Sequence, residues 1–147
     1  MASNPNKKPA PLKGDYLLLV ELSKSANVTL AGRGAITLVP GTYIYVGSAR
    51  GSGGLTGRLG RHLRRDKRRH WHIDYLLEEG RVVGIVPMPV EDGGERMECR
   101  IARAMGEVWG EGSAVAGFGS SDCGCGSHLY RVGGEEIAKT NYPRNKC

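Results

Sequence analysis

The chain has 147 residues, enough for one modest core but not for two. Its 21 Lys and Arg against 15 Asp and Glu give a net charge of +6 and a pI near 9.3, which points to an anionic partner. The apolar run of the opening strand, residues 16–20, is far too short to span a membrane, and the four cysteines do not form the framework of a small secreted protein. The expectation is a cytoplasmic protein with reduced thiols and no membrane partner.

Residues 1–13 are polar, carry three prolines and three lysines, and lack the apolar core of a signal peptide. They read as a disordered basic arm. Residues 14–22, Gly-Asp-Tyr-Leu-Leu-Leu-Val-Glu-Leu, are apolar enough for a central strand. After a turn over 23–27, residues 28–30 and 35–39 have the pattern of a short hairpin around Gly32-Arg33-Gly34. Pro40-Gly41 turns the chain into a strand over 43–46, and the glycine-rich stretch 50–54 breaks it. Leu55, Leu59 and Leu63 then recur four apart, predicting a helix that runs to about Arg69.

Beyond it, Ile73, Leu76 and Leu77 suit a short helix ended by Gly80. Residues 81–86 are β-branched and predict a strand stopped by Pro87 and Pro89. Met97, Ile101, Met105 and Val108 predict a second long helix over 95–109. A glycine- and serine-rich loop over 117–127, a last strand over 129–132 and a polar tail over 133–147 complete the chain. The fold class is α+β: a small, mostly antiparallel sheet flanked by helices, in a single domain spanning residues 14–132.

Several side chains could do chemistry. Arg58 and His62 are four apart on one helix face, so a cation and an imidazole can reach one point. Around them lie Arg61, Arg64, Arg65, Lys67, Arg68 and Arg69 with one acid, Asp66, the footprint of a surface that meets a phosphate backbone. Tyr43 and Tyr45 share a strand face by period-two alternation, and Tyr16 lies on the preceding strand of the sheet. Glu98 borders the apolar stripe of its helix, and neither Arg96 nor Arg103 is at the three- or four-residue spacing of a helical ion pair. Its candidate partners are Arg58 and a divalent cation. His72 is a further candidate, with Asp74 too near in sequence to orient it. Cys123, Cys125 and His128 could hold zinc, with His70 or His72 as a fourth ligand, although a C-x-C pair is strained as a chelate.

Taken in order, these residues resemble a known family. Gly14-Asp15-Tyr16 and Tyr45-Val46-Gly47 are similar to the two signatures that name the GIY-YIG nuclease superfamily. Tyr-Val-Gly-Ser-Ala at 45–49, His-Trp-His-Ile-Asp-Tyr-Leu at 70–76 and the loop from Gly117 to His128 resemble its Uri-type prokaryotic branch, sometimes fused to endonuclease III. The resemblance implies a GIY-YIG-like fold and a Mg²⁺- or Mn²⁺-dependent endonuclease that hydrolyses phosphodiester bonds in DNA, in DNA repair or the processing of branched or damaged DNA. RNA is not excluded as a substrate. It implies Tyr16, Tyr45, Arg58, His62 and Glu98 as catalytic residues, with Glu98 the metal ligand and Gly47, Ser48, His72 and His128 in support. Two departures stand out: Tyr16 and Tyr45 are 29 residues apart, which requires the inserted hairpin, and the family's late asparagine has no counterpart among Ser120, Ser121, Asp122 and His128. The alternative is a catalytically silent nucleic-acid-binding module that recruits a repair partner such as a DNA glycosylase.

Overall fold

The structure is a computed structural model and describes residues 5–6, 9–30, 34–91, 97–120 and 125–133. The fold is α+β. A four-stranded antiparallel sheet has the order β5-β1-β4-β6, built from β1 (Lys13–Leu22), β4 (Gly41–Ala49), β5 (Arg81–Val90) and β6 (Leu129–Gly133). The expected hairpin forms a separate two-stranded sheet from β2 (Ala26–Leu30) and β3 (Gly34–Leu38). Gly32 and Arg33, expected at its turn, lie outside the described residues.

Alternation along β1 sends Tyr16, Leu18, Val20 and Leu22 into the core. Antiparallel register sets Tyr16 opposite Gly47, Leu18 opposite Tyr45 and Val20 opposite Tyr43, so these side chains share one face. At Gly47 that closeness leaves no room: a Cβ there would overlap the Tyr16 ring.

Three helices complete the fold: α1 (Gly54–Leu63), α2 (His72–Glu79) and α3 (Glu98–Trp109). The start of α1 is fixed by Gly54 at φ +60°, where a Cβ would overlap the Leu12 carbonyl, and by the Leu55 N–H donating to that carbonyl at 2.7 Å. The end of the expected arm is therefore part of the domain's packing. Residues 134–147 of the expected tail lie outside the described residues, as do the first residues, Glu95 and Arg96, of the expected second long helix.

Three expectations are corrected. Helix α1 ends at Leu63, not near Arg69, because Arg64 turns extended and Lys67 reaches back to the Arg61 and His62 carbonyls at 3.2 and 2.8 Å. This arrangement satisfies acceptors that a continuing helix would use. The apolar stripe also shifts, since Leu63 is exposed and the buried position in that turn is His62. Strand β5 continues through Pro87 and Pro89 to Val90. It can do so because it is an edge strand, paired only with β1, and the two prolines stand at alternate positions that face outward, where no partner needs an N–H.

Candidate active site

Tyr16 brings a phenol into the core at the start of β1, and its hydroxyl meets His62 Nε2 on α1 at 2.6 Å. Tyr45 stands beside both, with ring centroids 6.4 Å from Tyr16 and 6.3 Å from His62. Arg58, one turn before His62, lies near enough to Tyr16 to counter part of the pKa rise of its phenol, and it stacks over Trp71, its guanidinium carbon 4.1 Å from the ring centroid. Which of the two groups donates in the contact between Tyr16 and His62 is set by which His62 nitrogen carries the proton. Nδ1 is buried with no hydrogen-bond partner among the described residues.

Burial governs the protonation of this cluster. Desolvation pushes the Tyr16 and Tyr45 phenols well above the ordinary tyrosine range, and Arg58 offsets only part of it. A Tyr16 that took a proton from water, one way to fill the catalytic role the resemblance implies, would need a lowered pKa, and the shift goes the other way because the ring is fully enclosed. Desolvation, reinforced by Lys67, pushes His62 down to about 4, so its imidazole is neutral near pH 7. A protonated phenol hydrogen-bonded to a neutral imidazole is the result.

Trp71 and Asp74, which sequence reasoning did not assign, hold the cluster together. The fully buried Asp74 carboxylate accepts both terminal nitrogens of Arg61, at 2.8 and 2.9 Å, and the backbone N–H groups of His70 and Trp71, each at 2.9 Å. Those bonds hold its pKa below the usual carboxylate range despite burial. Arg61 also stacks on Trp71 at 4.3 Å and donates to the Arg68 carbonyl at 2.8 Å. Arg61 is thus engaged in the fold and not displayed for a polyanion, unlike its expected role. Arg64, Arg65, Arg68 and Arg69 are exposed, with Arg69 beside Glu78, while Lys67 is half-buried against the end of α1.

Glu98 opens α3, with its side chain 17% exposed and Oε2 4.0 Å from His128 Nδ1. What aims it there is Asp15, a residue that carried no role in the sequence reading. Asp15 is buried, accepts the Met97 N–H at the start of α3 at 3.0 Å, and meets Arg50 at 3.2 Å. A carboxylate at a helix N-terminus is the favourable sign for the helix dipole. The sequence signal was an acid next to the apolar run of the strand.

Tyr45, Arg58, Glu98, His128, Trp71 and Ser48 open onto one cleft of about 540 Å³. Tyr16 does not line it, lying one residue behind Tyr45 and Arg58. His72 takes a structural contact, its Nδ1 accepting the Gly119 N–H at 2.9 Å. Gly119, at φ +69°, lets the loop pass close to Tyr45. Cys125 and His128 do come together, joined by Cys99 of α3, while Cys123 lies outside the described residues. His128 is held neutral by burial.

A family model described as a domain of unknown function, DUF123, matches residues 15–144. The chain belongs to that family. Comparison with curated proteins finds no match, and comparison with solved structures finds none. The DUF123 match takes in β1 through β6, so every residue of the cleft described above falls inside the family's domain. Among the described residues, no helix is long and apolar enough to cross a membrane.

Proposed function

We propose that this DUF123 domain is a divalent-metal-dependent endonuclease of the GIY-YIG type, acting on DNA. One observation carries the reading: three distant segments deliver Tyr45, Arg58 and Glu98 to a single cleft, with exposed arginines on the adjoining segment after α1. The cleft has the room and the donor type that Mg²⁺ or Mn²⁺ uses, a lone carboxylate with space for water and phosphate oxygens. Glu98 would hold the ion, which when bound supplies charge neutralisation on the phosphate and a more acidic water.

The remaining work belongs to the chain's own groups. Arg58, held flat on Trp71, offers its fork of donors to a non-bridging oxygen as charge builds there. Tyr45 orients the phosphate from the opposite wall. Tyr16, hydrogen-bonded to the neutral His62 and packed against Tyr45, supports this wall of the cleft from behind. Ser48 and His128 shape the floor, and Arg64, Arg65, Arg68 and Arg69 steer the backbone.

The test is nicking of supercoiled plasmid and of branched DNA in Mg²⁺, Mn²⁺ or EDTA, with wild type and Glu98→Ala. Metal-dependent nicking that Glu98→Ala abolishes, with DNA binding retained, is the expected result. Wild-type cleavage by Glu98→Ala overturns the role of Glu98. Binding without cleavage under any metal selects a second reading, a silent DNA-binding module, which the enclosure of Tyr16 favours.

A further inference from the structure

The cysteines of this chain have no part in phosphodiester chemistry, yet two of them meet a histidine at the edge of the cleft. Cys99 Sγ on α3 lies 3.9 Å from Nε2 of His128, which opens β6, and Cys125 comes from the loop before it. One ligand atom from each of the three falls within 4.8 Å of the other two. We propose that Cys99, Cys125 and His128 bind a zinc ion, whose fourth position faces the cleft and takes water.

The donor set argues for the metal. Two thiolates and an imidazole are soft-to-borderline ligands that suit Zn²⁺ and are poor partners for Mg²⁺. Bonds of about 2.3 Å to sulfur and about 2.0 Å to nitrogen at tetrahedral angles put donors roughly 3.5–3.8 Å apart, so from separations within 4.8 Å the trio needs a contraction of at most about 1.3 Å. The strain that counts against a Cys-x-Cys chelate is absent, since Cys99 arrives from a different segment. The half-buried thiols and buried imidazole give a sheltered site.

The surroundings argue for it as well. His128 is anchored by its backbone, its N–H donating to the Phe118 carbonyl at 2.8 Å and its carbonyl accepting from Val46 at 2.9 Å. With Nε2 turned to Cys99, Nδ1 faces Glu98 Oε2 at 4.0 Å. That distance is too long for a hydrogen bond, but the carboxylate's charge favours a cation on the ring. A carboxylate has two oxygens, so Glu98 can face His128 and still take a hard cation on the cleft side. Zinc here would tie α3 to β6 and thereby set the position of Glu98.

The site is tested on the full chain, reduced and without DNA. Zinc content is measured directly, Co²⁺ is added to metal-stripped protein, and alkylation of each cysteine is mapped by mass spectrometry with and without Zn²⁺. Expected are one zinc per chain, the thiolate-to-cobalt charge-transfer and tetrahedral ligand-field bands, and zinc-dependent protection of Cys99 and Cys125 but not Cys147. Cys99→Ser or Cys125→Ser should abolish the cobalt spectrum. The mapping on wild-type protein keeps the test decisive where a serine variant fails to fold. Absence of thiolate–cobalt bands, or equal alkylation of Cys99 with and without zinc, overturns the site. Neither readout depends on cleavage, so the nuclease reading and this one fail separately.

Discussion

Replacing Asp74 with Ala removes a fully buried carboxylate that receives four donors, two from Arg61 and two from the backbone at the start of α2. Arg61 is left with a side chain only 19% exposed and no counter-charge at that position. Breaking one side of a buried ion pair costs about 3–5 kcal/mol, and losing the cap of a helix about 1 kcal/mol. These overlap, because the same oxygens serve both, so a loss of about 3–4 kcal/mol is expected. At a urea slope of about 1–3 kcal/mol per molar, the unfolding midpoint should fall by roughly 1–4 M, measured by circular dichroism. The double variant Arg61→Met, Asp74→Leu should recover much of that loss, because it removes the stranded charge together with its partner. A loss below about 1 kcal/mol for Asp74→Ala, or no recovery in the double variant, refutes the argument that the pair and its cap hold this region.

Other consequences follow from the same geometry. His62 is held near a pKa of about 4 against 6.5 in the unfolded chain, so between those values the unfolded chain binds a proton that the folded one refuses. Stability is therefore full above pH 6.5 and should decline by about 3 kcal/mol on acidification to pH 4, with His128 adding to the same trend. His62→Gln should flatten that decline in urea titrations at several pH values, and an unchanged slope contradicts the assignment. Gly47→Ala drives a methyl into the Tyr16 ring, and overpacking of this kind should cost about 1–3 kcal/mol and reduce nicking; a neutral result would show that the ring can move aside. Arg64→Ala and Arg65→Ala should each lower the salt dependence of DNA binding by about one unit of slope in fluorescence anisotropy. Arg61→Met should leave that slope alone and lower the unfolding midpoint instead, and the opposite outcome would return Arg61 to the DNA surface.

Local patterning made the strands legible. Alternation in β1, the paired runs of β2 and β3, and the tyrosines of β4 each encode a burial face in consecutive residues, and the sheet follows from them. The reach of β5 was misjudged because proline forbids only the inner pairing positions, and nothing local says which strand is at an edge. The end of α1 was misjudged for a related reason: it is closed by Lys67 folding back, a tertiary contact among residues that look uniformly solvated. Tyr45, Arg58 and Glu98 line one cleft, while His62 turns inward to Tyr16. What the sequence could not display was the wiring between segments far apart in the chain, Asp15 to Met97, Asp74 to Arg61, and Cys99 to His128.

The two outer strands bear on how this domain can join a larger assembly. On β5, Pro87 and Pro89 face outward, so a visiting strand would find donors missing at successive positions. On the opposite side, β6 is covered in part by Ala114, which bridges to Tyr130, and by Val115, whose N–H donates to the Leu129 carbonyl at 2.9 Å. At these positions strand addition is hindered on both margins of the main sheet. A protein that docks over these positions must therefore do so side chain to side chain.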